Sequence, residues 1–349
     1  MKRSFLTLLI ILTALLSFAE QRDGYSVEIV TVSGHPAYLL TPTSLDLRPS
    51  TLDDTPPLNR GGREGSPRYP AVLALHDHGA HFTIGKEKLV RPLWREDKDS
   101  LFNARVQAEA DKWVHKYYHG MFIVDSLAKA GFVVLVTDAL YWGERSQGTD
   151  NRALKEGQPA FYQKHLAETG EVWFETILRE DREAVSFLCS LPCVDTTRIF
   201  SFGFSMGAYR SWQLASADPR IAGCAAANWM TTIRYTGGFI TGVSSWSMYR
   251  PVPDGAKEAD YDYPQIAARI CPRPFLLLYG DHDHVIPAKG TQMAIRTISR
   301  AYVKSSRISR SSCKKSSRQF RPIAVPADHE VTPEHYQTLL SWLNAQLSN

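Results

Sequence analysis

The sequence predicts an α/β domain with a mostly parallel central sheet and helices on both faces, and three observations carry that prediction. Short apolar runs recur along the chain at 71–75, 132–137, 198–202, 221–227, 275–279 and 322–325. They are apolar along their whole length instead of alternating, the mark of strands covered on both faces. Between them lie stretches of helical period at 121–130, 171–191 and 206–217, with Gly131 and Pro192 as stops.

Taken in order, 27–32 and 37–41 read as two strands joined through Ser33-Gly34, a hairpin turn. Residues 42–69 are rich in Pro, Gly, Asp and Arg and read as a long surface loop. Residues 80–120, 144–170 and 231–262 interrupt the rhythm; each follows a strand, so they are expected to crowd the carboxyl ends of the strands, where such sheets bind ligands. The final stretch has Thr332 as N-cap and Pro333 at the first helical position, with Tyr336, Leu340, Leu343 and Leu347 on one face. A single domain over 20–349 accounts for all of this.

Composition narrows the class. With 44% hydrophobic and 22% charged residues, wholesale disorder and a many-span membrane protein are excluded, and a net charge of +4 is too small to imply a nucleic-acid partner. Met1-Lys2-Arg3, an apolar run over 5–16 and Ser17-Phe18-Ala19 before Glu20 have the parts of a signal peptide cut after Ala19. The run is shorter than the roughly 20 residues of a spanning helix. The mature chain is therefore expected in the periplasm or secreted, without a membrane span. Five cysteines (Cys189, Cys193, Cys224, Cys271, Cys313) leave at least one unpaired within the chain, and most read as small buried hydrophobes.

The charge is unevenly spread. Residues 289–321 hold ten basic and no acidic side chains, leaving 30 basic against 36 acidic elsewhere. The centre of that stretch, 305–318, has seven serines and five basic residues with only Ile308 and Cys313 apolar. It reads as a basic, Ser-rich disordered loop or a locally altered reading frame; the functional alternative is attraction to an acidic polymer.

The chemistry centres on Gly203-Phe204-Ser205-Met206-Gly207, placed directly after one strand and directly before a helix. That context fits a nucleophile elbow, in which the serine takes a strained turn and the flanking glycines let strand and helix approach. A serine hydroxyl needs a base and an orienting acid. Asp283 follows the 275–279 strand, with Asp281 as competitor; His329 follows the 322–325 strand, with His335 as the less favourable base. The order Ser205, Asp283, His329 is the one expected for this elbow.

From about Tyr69 onward the chain resembles the α/β-hydrolase superfamily, in its dienelactone-hydrolase-like and acetyl-xylan-esterase-like branch. The resemblance rests on the elbow, on Leu75-His76-Asp77-His78-Gly79, on Asp195-Thr196-Thr197-Arg198-Ile199 and on Cys271-Pro272-Arg273-Pro274-Phe275. It implies an α/β-hydrolase fold and a cofactor-free serine esterase forming an acyl-enzyme on Ser205, with an oxyanion hole made by the backbone N–H groups of Met206 and His78. It also implies a carbohydrate ester substrate, acetyl or methyl, on a plant polysaccharide. Asp77 departs from the pattern, standing where the family commonly has glycine. Glucuronoyl esterases carry Arg after the nucleophile, so Met206 argues against that subgroup. Trp142 and Arg145, in a loop after a strand, are expected to offer a stacking face and a cation to the sugar, or else to pack the loop and pair with an acid such as Glu144.

Three rivals stand beside this reading. His76, His78 and His81 resemble a zinc signature, without its aspartate at Ala80 and with His115 and His119 as conceivable extra ligands on a helix. A non-catalytic hydrolase fold acting as a binding module is the second. A proline-directed peptidase is the third, though the chain has no room for the usual propeller.

Overall fold

Ser33 and Gly34 both take positive φ (51° and 78°), as a tight hairpin turn requires. They join β2 (Tyr25–Val32) to β3 (His35–Pro42), with Val32 paired to His35 across the turn. The computed structural model describes residues 19–43, 68–235, 255, 257–286, 288–308 and 319–348. The apolar run of the expected signal peptide and most of the 42–69 loop lie outside them. Pro42 and Tyr69 are strand residues, so the loop is shorter at each end than expected.

With β1 (Glu20–Arg22) on the outside, this antiparallel meander borders a parallel sheet of β4 (Tyr69–Leu75), β5 (Val133–Thr137), β6 (Val194–Phe204), β7 (Ile221–Ala227), β8 (Phe275–Gly280) and β9 (Phe320–Val325). The order is β1-β2-β3-β5-β4-β6-β7-β8-β9, mixed at one edge and parallel from β5 to β9.

Alternation along the strands divides the core. Ala71, Leu73 and Leu75 of β4 join one apolar cluster, Val72 and Ala74 the other. The first face is covered by α3 (Asn151–Thr169), α4 (Trp173–Ser190), α5 (Met206–Ala217), α7 (Tyr263–Ala267) and α8 (Ala288–Ile308), with the short α6 (Glu258–Tyr261) leading into α7. The second is covered by α1 (Ser100–Tyr117), α2 (Ile123–Lys129) and α9 (Pro333–Leu347). Each face buries apolar area worth roughly 25 cal/mol per Å² removed from water.

Three expectations change. The stretches 80–120 and 144–170 are not mere interruptions, because each contains a long helix, α1 or α3. Helix α8 continues through Ile308, so 305–308 are helical and the expected loop cannot begin at Ser305. Ala294, Ile298 and Tyr302 bury the apolar face that shorter windows of this basic stretch lack. Residues 309–318, with Cys313, lie outside the described residues. Among the described residues, no disulfide joins Cys189, Cys193, Cys224 and Cys271 to one another, and no helix is long and apolar enough to cross a membrane.

Candidate active site

Ser205 sits between β6 and α5 with φ 54° and ψ −121°, a conformation that costs a non-glycine residue on the order of 1–3 kcal/mol. The surroundings impose it: the Ser205 N–H donates to Ala227 O at 2.9 Å, and its carbonyl accepts from Tyr209 N–H at 3.1 Å. The glycines on either side are required by space. A Cβ on Gly203 would stand 2.2 Å from the Gly207 backbone, and one on Gly207 would stand 1.9 Å from Leu75 O.

The three chain-distant side chains meet. His329 Nε2 lies 2.9 Å from Ser205 Oγ, and His329 Nδ1 lies 2.9 Å from Asp283 Oδ2. The second oxygen of Asp283 accepts the backbone N–H groups of Val285 (2.8 Å) and Ile286 (2.9 Å), which fixes the carboxylate in the turn after β8. Asp281 stands aside, with its carboxylate near the exposed His282. His335 is also elsewhere: it completes the N-terminal cap of α9 with Thr332, and burial lowers its pKa to about 4. A hydroxyl, an imidazole and a buried carboxylate in this series can remove a proton from the hydroxyl and return it to a leaving group.

The other wall is the turn after β4. Met206 opens α5, so its N–H has no intrahelical partner and points out of the helix start. Across from it, the contact of Gly207 with Leu75 and His76 brings the helix start against the 76–79 turn. His78 is boxed in: its Nδ1 accepts from Ala80 N–H at 2.8 Å, its Nε2 meets Gln158 Nε2 at 2.9 Å, and burial lowers its pKa to about 3. Its carbonyl accepts from Lys88 Nζ at 2.9 Å and Trp142 Nε1 at 3.3 Å.

A family model described as the dienelactone hydrolase family matches residues 114–345, which include Ser205, Asp283 and His329. The chain belongs to the dienelactone hydrolase family. It is 25% identical over 270 residues to YtaP of Bacillus subtilis, a protein named as a hydrolase, covering 74% of this chain and 79% of that one. Among solved structures, a methylesterase superposes with a TM-score of 0.58 at 17% identity over 95% of this chain; the chain spans 57% of that protein's length. A glucuronoyl esterase from Solibacter usitatus gives 0.55 at 15% identity, covering 94% of this chain and 84% of that one. These likenesses establish the α/β-hydrolase fold.

Against the expectations for a dienelactone hydrolase, two residues need correction. Trp142 cannot stack a sugar, because it is fully buried (0% exposed) among Phe82, His78 and Trp173 and donates to the His78 carbonyl. Arg145 is committed to Glu180 through two bonds of 2.6 and 2.9 Å; Glu144 pairs instead with Lys86 and Arg95.

The histidines of the zinc-like stretch do not converge. His76 Nε2 accepts from Ala139 N–H, leaving the proton on Nδ1, while His81 faces Glu109 at 3.3 Å. His115 bonds its own helix at Asp111 O, and His119, already past the end of α1, pairs with Glu330. Among the described residues, no three His, Cys, Asp or Glu side chains share a metal-sized focus.

Sequence reasoning missed several members of this family site. Asn228, with φ 54°, donates to Asp328 O (3.2 Å) and Glu330 O (2.8 Å) and accepts from Gly280 N–H, tying the His329 loop to β7 and β8. Asp328 accepts from the backbone N–H groups of His284 and His329 and meets the His284 ring at 2.6 Å. Lys88, Trp113 and Tyr118 brace the 76–79 turn from behind. An Asn directly after a strand, a residue type that tolerates positive φ, was the one available signal; the rest depend on contacts made only in the fold.

Proposed function

We propose that this hydrolase is a secreted serine carboxylesterase that removes acetyl or methyl esters from a plant polysaccharide through an acyl-enzyme on Ser205. The observation that carries the reading is the unbroken series Ser205 Oγ, His329, Asp283 at 2.9 and 2.9 Å, mounted on a strained elbow. His329 takes the Ser205 proton as Oγ attacks the ester carbonyl. The tetrahedral oxyanion accepts the N–H groups of Met206 and His78, each worth on the order of 3 kcal/mol in the transition state. His329 then protonates the departing alkoxide, and the acyl group remains on Ser205. Water, deprotonated by the same ring, releases the acid and restores the serine.

The carbohydrate part of this reading is supported by the names of fold neighbours: the methylesterase, the glucuronoyl esterase and an acetyl xylan esterase of Bacteroides fragilis so titled, at a TM-score of 0.54 and 15% identity over 94% of this chain and 81% of that one. Secretion is supported by the basic start and apolar run before Ala19. The test is release of acetate from acetylated xylan and of methanol from methylated pectin, beside Ser205→Ala. We expect release from one polymer and none with the variant. Undiminished release by Ser205→Ala would sink the serine mechanism, and activity confined to small aryl acetates would sink the polysaccharide.

A further inference from the structure

Lys88 is a fully buried lysine (0% exposed) directly behind the proposed oxyanion hole. Its ammonium donates to Asp77 O and His78 O at 2.9 Å each, lies 3.6 Å from the Asp77 carboxylate and sits over the Trp113 ring at 4.8 Å. Asp77, the residue that stands where the family commonly has glycine, is held in turn by Trp113 Nε1 (3.2 Å) and Tyr118 OH (2.9 Å). An apolar side chain of similar length would fill this space without the desolvation that burying a charge costs. Packing therefore does not explain the lysine.

The peptide geometry does. The Asp77 carbonyl and the His78 N–H belong to one peptide unit, so a cation on the oxygen draws electrons from the nitrogen and makes that N–H a stronger donor. Such polarisation passes along hydrogen-bonded peptides, and charge-assisted bonds are about twice as strong as neutral ones. Away from water the ammonium is also poorly screened. We propose that Lys88 is a positioning and polarising residue for the oxyanion hole, acting through the Asp77–His78 peptide to strengthen the His78 N–H as charge develops on the substrate oxygen. The inference rests on the esterase reading above, because it takes His78 as a donor.

The charge on Lys88 can be titrated without mutation. Desolvation lowers its pKa to about 8, despite Asp77, Asp138 and Glu87. Of the other groups facing it, Lys86 and Tyr118 are pushed well up and His76 and His78 are pushed down, so none of these changes charge between pH 7 and 10. The turnover of wild type is expected to fall as pH rises through about 8, when the ammonium becomes a neutral amine.

The experiment measures kcat and KM on an aryl acetate from pH 6 to 10 for wild type, Lys88→Met, Lys88→Gln and Ser205→Ala, with thermal melts of each. For Lys88→Met we expect kcat to drop about 30-fold with KM within about twofold and disappearance of the alkaline fall, together with a lower melting temperature because the buried Asp77 carboxylate loses its cation. Lys88→Gln, which keeps a neutral donor, should lie between and serves if the Met variant does not fold. A folded Lys88→Met with wild-type kcat, or a wild-type profile flat to pH 10, overturns the inference. An active Ser205→Ala would instead bring down the esterase reading itself, so the two failures are distinguishable.

Discussion

Asp283 and His329 stand on short loops after the last two strands of the sheet; the backbone N–H groups of Val285 and Ile286 fix the first, and the side chains of Asn228 and Asp328 tie down the second. The 76–79 turn, on the opposite side of Ser205, is held by enclosed side chains, among them buried Lys88 and Trp142 and the Trp113 and Tyr118 that grip Asp77. One half is wet at its rim, with Asp328 and His284 exposed. The other is dry. In the proposed mechanism the proton-moving half needs groups that can change charge and meet water, whereas the half that would receive the oxyanion gains from exclusion of water, where each dipole counts for more.

Substitutions can break this contrast on either side. The largest effect is expected for Asp283→Asn, which leaves the shape of the turn but removes the charge that orients and stabilises protonated His329; kcat should fall about 10⁴-fold with KM little changed. A loss of less than tenfold in steady-state kinetics would mean that the wet-rimmed half is not the proton-moving one. On the dry side, Trp142→Phe keeps an aromatic filler and deletes one neutral bond to the His78 carbonyl. A decrease in kcat of roughly three- to tenfold is expected, the worth of about 1 kcal/mol, and an unchanged kcat would show that the turn does not need this brace.

The smallest effect concerns the exposed clasp. The backbone N–H and ring of His284, with the His329 N–H, hold the Asp328 carboxyl down at about 2. A carboxyl lowered on folding stabilises the fold above its ordinary range, and that contribution is lost as pH falls from about 4 toward 2. Asp328→Asn should therefore melt slightly below wild type at pH 7, with the two curves converging near pH 2. A gap that persists at pH 2 would assign the effect to something other than this charge.

The same contrast explains what could be read from the residues alone. Gly203, Ser205 and Gly207 announce the elbow because the strained turn tolerates few alternatives, and Asp283 and His329 follow from their places after strands. The parallel core was legible from continuous apolar runs such as Leu276–Leu278, all of them buried. Lys86-Glu87-Lys88 carries three charges in a row, yet all three side chains are buried, Lys86 among Glu87, Asp138 and Glu144 and Lys88 beside Asp77. Nothing local distinguishes a lysine that will be enclosed by partners ten residues or more away. Of the two roles open to Trp142, packing the loop is the one found: its position after β5 is that of a rim residue, and only the packing of Phe82 and Trp173 takes it inside. Helices α1 and α3 were hidden by weakly patterned, charge-rich faces.

The sheet order has a temporal side. Ser205 follows the third parallel strand counted from β5, while His329 follows β9, which among the described residues pairs on one side, with β8. A chain emerging from the ribosome with its N-terminal part folding first would possess the elbow, and later the carboxylate, well before the strand that delivers the imidazole. In the proposed mechanism the hydroxyl has no acceptor for its proton until β9 docks. On that reading hydrolytic power arrives last, as a property of the finished sheet and not of any partial one.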